Sequence, residues 1–208
     1  MSITIILIII TCVVSFLAFN NNNLKDRLIF SPYQHTKNKA WWLVLSHGFI
    51  HADYFHLFFN MYVLYVFGLN VEQSFSSLNQ LGQLYFILLY VGGMVFATLP
   101  SIAKHRNNPS YRSLGASGAV SAIVFSFIVL DPTAGMGLLF LPGLSIPAFV
   151  FGILYLIAEN YMSKKGNTNI AHEAHIAGAV FGLLFLGFFD YKVYTNFLES
   201  IGIYLGIV

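Results

Sequence analysis

Six long apolar stretches, separated by short polar breaks, organise the chain: Ile3–Phe19, Phe55–Val71, Leu81–Leu99, Leu114–Leu130, Ile146–Tyr161 and Ala171–Phe189. Each approaches the roughly 20 residues that a helix needs to cross the hydrocarbon core of a bilayer. None alternates with period two, which excludes a closed barrel. The pattern predicts an all-α, polytopic membrane protein, a six-transmembrane-helix bundle forming a single domain over residues 1–208. Glycine and proline inside the stretches are compatible with this, because neighbouring helices satisfy the backbone groups they free.

The polar breaks carry their own information. The first connection, about residues 20–54, opens with the helix-stopping run Asn20–Asn23 and contains Trp41 and Trp42. Indole rings favour the headgroup level, so this connection is expected to lie on the membrane interface. Ser101–Ser113, with Lys104, His105 and Arg106, and Ser163–Ile170, with Lys164 and Lys165, read as solvent-facing loops. The tail, about residues 191–208, is apolar over Thr195–Val208 but short. It is expected to be an interfacial or bundle-packing helix rather than a seventh span.

Composition agrees with the pattern: 57% of the residues are hydrophobic and only 9% charged, with a mean hydropathy of +0.73. These values lie outside the range of soluble domains. A formal net charge of +2 gives no reason to expect a nucleic-acid partner. Cys12 is the only cysteine, so no disulfide forms within the chain. No basic residue precedes Ile3 and no small-residue cleavage site follows Phe19, so the first stretch reads as a span and not a cleaved signal peptide.

Span parity then locates the chemistry. In successive crossings the second, fourth and sixth spans begin at the same membrane face, and their first turns carry His56 and Asn60, Ser117, and His172 and His175. All seven histidines fall in the loops or span starts of that face, and polar groups at membrane depth are costly enough to mark a site. Glycines beside a serine ordinarily mean helix packing. Here that packing helps: a face of Ala174, Gly178 and Gly182 can approach Gly118 and Ala122 closely enough to bring His175 to Ser117. A serine needs such a base within hydrogen-bond reach to act as a nucleophile. His56 and Asn60, spaced i and i+4, share one helix face and can donate to a developing oxyanion, as can the Ser117 N–H at a helix N-terminus. Interhelical hydrogen bonding is their structural alternative.

Three motifs in order resemble the rhomboid intramembrane serine proteases over about Trp42 to Gly182. They are HADYFHLFFN, ending in His56 and Asn60; GASG, with Ser117; and AHIAGAVFG, beginning at Ala174 and containing His175. The resemblance implies a rhomboid-like bundle whose Ser117–His175 dyad, without a required acidic member, cuts a peptide bond in or near the transmembrane segment of single-pass membrane proteins, with no cofactor and no metal. It also implies that the fifth span and the following loop, Ser163–Ile170, gate substrate entry. The host is expected to be the plasma (inner) membrane of a bacterium. Asp53 and Glu173 are the only carboxylates placed in the polar layer. Ser121 stands where many relatives carry an aromatic ring packed on the catalytic histidine, so either that ring is lost or another replaces it.

Rival readings have specific features. HEAH, His172 to His175, suggests a metalloprotease, although its histidines are at i and i+3 and not the i and i+4 of the helical zinc motif. A rhomboid-like binder without activity normally lacks the serine or histidine. A transporter is expected to show inverted repeats or broken helices. Nine of the ten Lys and Arg residues fall on the face of the site, leaving Lys192 opposite. The positive-inside rule assigns that face to the cytoplasm, whereas the resemblance implies an outward-facing site.

Overall fold

The structure, a computed structural model, describes residues 2–78, 80–138, 141–165 and 171–208. Helix α1, Ile3–Phe19, is tied to the bundle at its N-terminus. Glu72 of a neighbouring helix accepts hydrogen bonds from Ser2 Oγ at 2.7 Å, the Ile3 N–H at 2.7 Å, the Thr4 N–H at 2.9 Å and Thr4 Oγ at 2.7 Å. A carboxylate there satisfies donors that the first helical turn leaves orphaned. The asparagine run does end α1, and Asn21 then caps a new short helix by accepting from the Leu24 N–H at 3.0 Å.

The first connection is built of short pieces: α2, Asn22–Leu28; α3, Pro32–Lys37; α4, Leu43–Ser46; and a 3₁₀ turn at His47–Phe49. Trp41 and Trp42 are 64% and 60% exposed, as side chains destined for an interface must be. Helices α5, Tyr54–Leu78, and α6, Gly82–His105, follow, each longer than the apolar stretch that announced it. Then come α7, Ser117–Leu130; an antiparallel hairpin of β1, Gly135–Leu138, and β2, Leu141–Pro147; α8, Ala148–Lys165; α9, His172–Phe185, continued by a 3₁₀ turn to Phe188; and α10, Lys192–Leu205.

Several boundaries differ from the sequence expectation. Helix α5 runs to Leu78 and not Val71, and α6 to His105 and not Leu99, so Ser101–His105 is helical where a solvent-facing loop was expected. Helix α7 starts at Ser117 and not Leu114, because Gly115 adopts φ +113° and interrupts the helix. Helix α8 starts at Ala148 because Ile146 and Pro147 belong to the hairpin, a small β element inside an otherwise helical chain. Part of the Ser163–Ile170 loop, residues 166–170, lies outside the described residues, while Ser163–Lys165 is helical.

Among the described residues α5 and α6 are long and apolar enough to cross a membrane individually, and α1 and α7 are shorter apolar helices. The run His172–Phe188 meets α10 at 112°, so the tail turns aside from α9. Helix α7 lies at the centre, with Ala119, Ala122, Ile123, Phe125 and Ile128 buried. Small residues permit this. A Cβ at Gly93 meets the Ala122 side chain at 2.6 Å, and one at Gly178 meets the Gly118 backbone. The close approach of α9 to α7 expected from the glycine spacing is therefore present.

Candidate active site

The loop entering α7 is held from one side by the first connection. Phe30 and Ser113 exchange backbone hydrogen bonds at 3.0 Å, and the Gly115 N–H donates to the His47 carbonyl at 3.0 Å. The Ala116 N–H donates to His51 Nε2 at 3.3 Å, and His51 Nδ1 therefore carries the proton, donating to Ser15 Oγ at 3.0 Å; the Ser15 hydroxyl in turn donates a hydrogen bond to the Phe49 carbonyl at 3.0 Å. In this relay the Ala116 N–H, both His51 nitrogens and the Ser15 hydroxyl are all partnered. Burial pushes His51 down to about 3, helped by neighbouring His56 and opposed by Asp53, and burial pushes His47 down to about 4 against a hydrogen bond to Leu43. Both imidazoles are thus neutral scaffolding near pH 7.

From the other side, α9 brings its first turn to the serine. His175 Nε2 accepts the hydrogen bond of Ser117 Oγ at 2.8 Å. Ser117 occupies the first turn of α7, where the Ser117 and Gly118 N–H groups have no intrahelical acceptor. The His56 ring lies against Gly115: a Cβ there meets His56 Cε1 at 2.7 Å and Nε2 at 3.0 Å, a second reason, beside its φ, that only glycine fits. Asn60 is buried one turn deeper, its amide donating to the His56 carbonyl at 2.9 Å. A cavity of about 30 Å³ opens beside Ser117, between His47, Thr98, Gly115, Gly118 and Ala174. Ser117, His175 and His56 thus converge, while the Asn60 amide is engaged with its own helix.

The carboxylate inventory of the polar layer requires correction. Asp53 caps α5, accepting from the His56 N–H at 2.8 Å. Glu173 faces away from the serine, pairing with Lys104 and accepting from Ser163 Oγ at 3.2 Å. The carboxylate at the site is Glu159, buried on α8. Its Oε1 accepts from His175 Nδ1 at 3.0 Å and its Oε2 from His172 Nδ1 at 2.7 Å. Parity of span starts overlooked it because α8 runs toward the same face and delivers Glu159 near its end. The signal was available: a glutamate in the last turns of an apolar stretch.

Ser121 does not face His175 with an aromatic substitute. Its hydroxyl is hydrogen-bonded to Tyr155 of α8 at 2.9 Å. The His175 ring meets His172 edge-on, with centroids 6.2 Å apart. The donor atoms of Glu159, His172 and His175 lie within 4.8 Å of one another, so this trio, and not HEAH with Glu173, is where a metal ion could be held.

The arrangement supplies a serine hydroxyl bonded to an imidazole base, with backbone donors alongside. The Rhomboid domain model matches residues 38–192. The chain is 29% identical to the RHOMBOID-like protein 12, mitochondrial, of Arabidopsis thaliana over 176 residues, covering 77% of this chain and 50% of that protein. It is 31% identical to the Presenilin-associated rhomboid-like protein A, mitochondrial, of Danio rerio, covering 76% and 40%. With the Rhomboid protease GlpG of Haemophilus influenzae identity is 27%, covering 83% and 81%. The chain therefore spans about half the length, or less, of the two mitochondrial relatives. With the domain model matched across the motifs that build this site, the chain is a helical integral membrane protein of the rhomboid family.

Proposed function

We propose that this chain is an intramembrane serine endopeptidase that hydrolyses a peptide bond in or near the transmembrane segment of single-pass membrane proteins. The 2.8 Å contact between Ser117 Oγ and His175 Nε2 carries the reading. In it, His175 takes the hydroxyl proton as Ser117 Oγ attacks the scissile carbonyl, and returns that proton to the leaving amine. The acyl-enzyme is then hydrolysed by water activated by the same imidazole. The Ser117 and Gly118 N–H groups and His56 hold the oxyanion, with Asn60 available to donate on rearrangement.

The six apolar helices α1, α5, α6, α7, α8 and α9 are proposed to be the spans, forming one domain over residues 1–208 with the lipid bilayer as solvent. A bacterial plasma membrane is the proposed host. The Rhomboid protease GlpG of Haemophilus influenzae is the bacterial relative behind this reading, whereas the RHOMBOID-like protein 12 and the Presenilin-associated rhomboid-like protein A are named as mitochondrial.

A second reading, metalloprotease, has the Glu159–His172–His175 trio in its favour. It leaves the Ser117 contact without a role. The discriminating experiment is cleavage of a model single-span substrate by Ser117→Ala and His175→Ala in proteoliposomes. Both variants are expected to insert and fold yet lose turnover. Wild-type turnover by Ser117→Ala overturns the nucleophile assignment.

A further inference from the structure

We propose that Glu159 is the positioning residue of the Ser117–His175 pair, fixing the tautomer and the plane of the base from a third helix. The proposal rests on the serine-hydrolase reading above. Geometry comes first: Ser117 Oγ, His175 Nε2, His175 Nδ1 and Glu159 Oε1 form one chain, with separations of 2.8 Å and 3.0 Å at its two hydrogen bonds. A nucleophile, a base and a group that orients the base is the general logic of an activated serine.

The tautomer follows from the acceptor. A carboxylate facing Nδ1 accepts and cannot donate, so the imidazole proton stays on Nδ1 and the Nε2 lone pair faces the serine. Without that acceptor, the tautomer protonated at Nε2 is unable to take the serine proton. In the attack step the Oγ–H bond breaks, Nε2–H forms, the Oγ–carbon bond forms, and the carbonyl π pair moves to oxygen. His175 becomes an imidazolium while Glu159 keeps its charge, and the two stand within hydrogen-bond reach.

The carboxylate is itself held. His172 Nδ1–H occupies Oε2 at 2.7 Å, so the carboxylate plane cannot rotate away from His175. Glu159 is only 6% exposed, and a charge buried in an apolar helix persists where partners compensate it. Ring packing leaves this work undone: Ser121 is turned to Tyr155, and the ring contact of His175 is edge-on to His172. Hydrogen bonds to Glu159 supply the orientation that a stacked aromatic would otherwise give. The alternative role is glue, in which Glu159 merely docks α8 on α9 and a neutral acceptor serves equally well.

The test uses the full chain in proteoliposomes with a single-span substrate, comparing wild type, Glu159→Gln, Glu159→Leu and Ser117→Ala. Three quantities are read: kcat and KM separately, the thermal midpoint, and the ¹⁵N resonances of histidine-labelled protein, which report the tautomer of His175. Positioning predicts a fall in kcat on the order of 10²-fold or more in both Glu159 variants. KM stays within about threefold, as for an interaction realised in the transition state, and the wild-type Nδ1–H tautomer is lost in Glu159→Leu, which has no acceptor. A kcat within about threefold of wild type in both variants overturns the proposal. So does a loss of activity that only tracks a lowered thermal midpoint with the tautomer unchanged, which is the glue outcome. Wild-type turnover by Ser117→Ala instead overturns the serine-hydrolase reading beneath it, so the two failures are distinguishable.

Discussion

Substituting Gly178 with alanine tests whether the helix packing sets the reacting distance. The added Cβ stands 2.8 Å from the carbonyl carbon and 3.1 Å from the Cα of Gly118, with the carbonyl oxygen nearer still. These are backbone atoms next to the serine and cannot swing aside. Restoring ordinary contact moves α9 from α7 by about 0.6 Å at the carbon and by roughly 1 Å once the oxygen is accommodated. His175 lies one turn before Gly178 on α9, so the Ser117 Oγ to His175 Nε2 separation grows from 2.8 Å to roughly 3.8 Å, past hydrogen-bond range. Misplacement on this scale costs about 10²-fold in rate, and overpacking costs about 1–3 kcal/mol of stability. Cleavage kinetics and thermal midpoints of Gly178→Ala in detergent measure both. Gly137→Ala is the control, because a Cβ there meets nothing within 4 Å. A Gly178→Ala enzyme with kcat within about threefold of wild type refutes the link between helix approach and catalysis.

Three further outcomes follow from the same geometry. His56→Ala and Asn60→Ala should lower kcat by less than loss of Ser117 does, since backbone donors remain; unchanged kcat in both and in the double variant assigns them a structural role alone. Stability should be full above pH 6.5, the ordinary imidazole value, and should fall as acid is added, because the unfolded chain then protonates His47 while the folded chain resists until about pH 4. His47 alone contributes about 3 kcal/mol of this loss by pH 4, and a thermal midpoint equally steep in pH for His47→Gln contradicts that source. Substrates carrying Gly, Ala, Ser or Pro near the cut should be cleaved faster than versions with Leu there, because the scissile segment must leave its helical hydrogen bonds before attack; equal or faster cutting of the Leu versions contradicts the unwinding step.

Much of this site was readable from spacing alone. Gly178 and Gly182 lie one turn apart, and that spacing foretold the approach of α9 to Gly118 and Ala122, hence the meeting of His175 with Ser117. Glu159 was missed because attention to the starts of alternate spans ignores the ends of the others, which reach the same face. The start of α7 moved because the positive φ of Gly115 is a backbone property that hydropathy does not register. The hairpin before α8 escaped notice because Ile146 and Pro147 join an apolar run without a break in polarity. His51 belonged to the cluster of histidines on the site face, but its role as acceptor for the Ala116 N–H depends on the fold of the first connection, which no local pattern encodes.

The most direct test of the serine assignment is labelling of the purified protein with a fluorophosphonate, with and without a strong chelator, followed by mass-spectrometric localisation of the adduct. Activation of Ser117 through His175 predicts modification of the peptide containing GASG in the wild type, much less in His175→Ala, and no effect of chelation on labelling or cleavage. Cleavage abolished by the chelator, with no adduct at Ser117, contradicts the account and transfers the chemistry to a metal held by Glu159, His172 and His175.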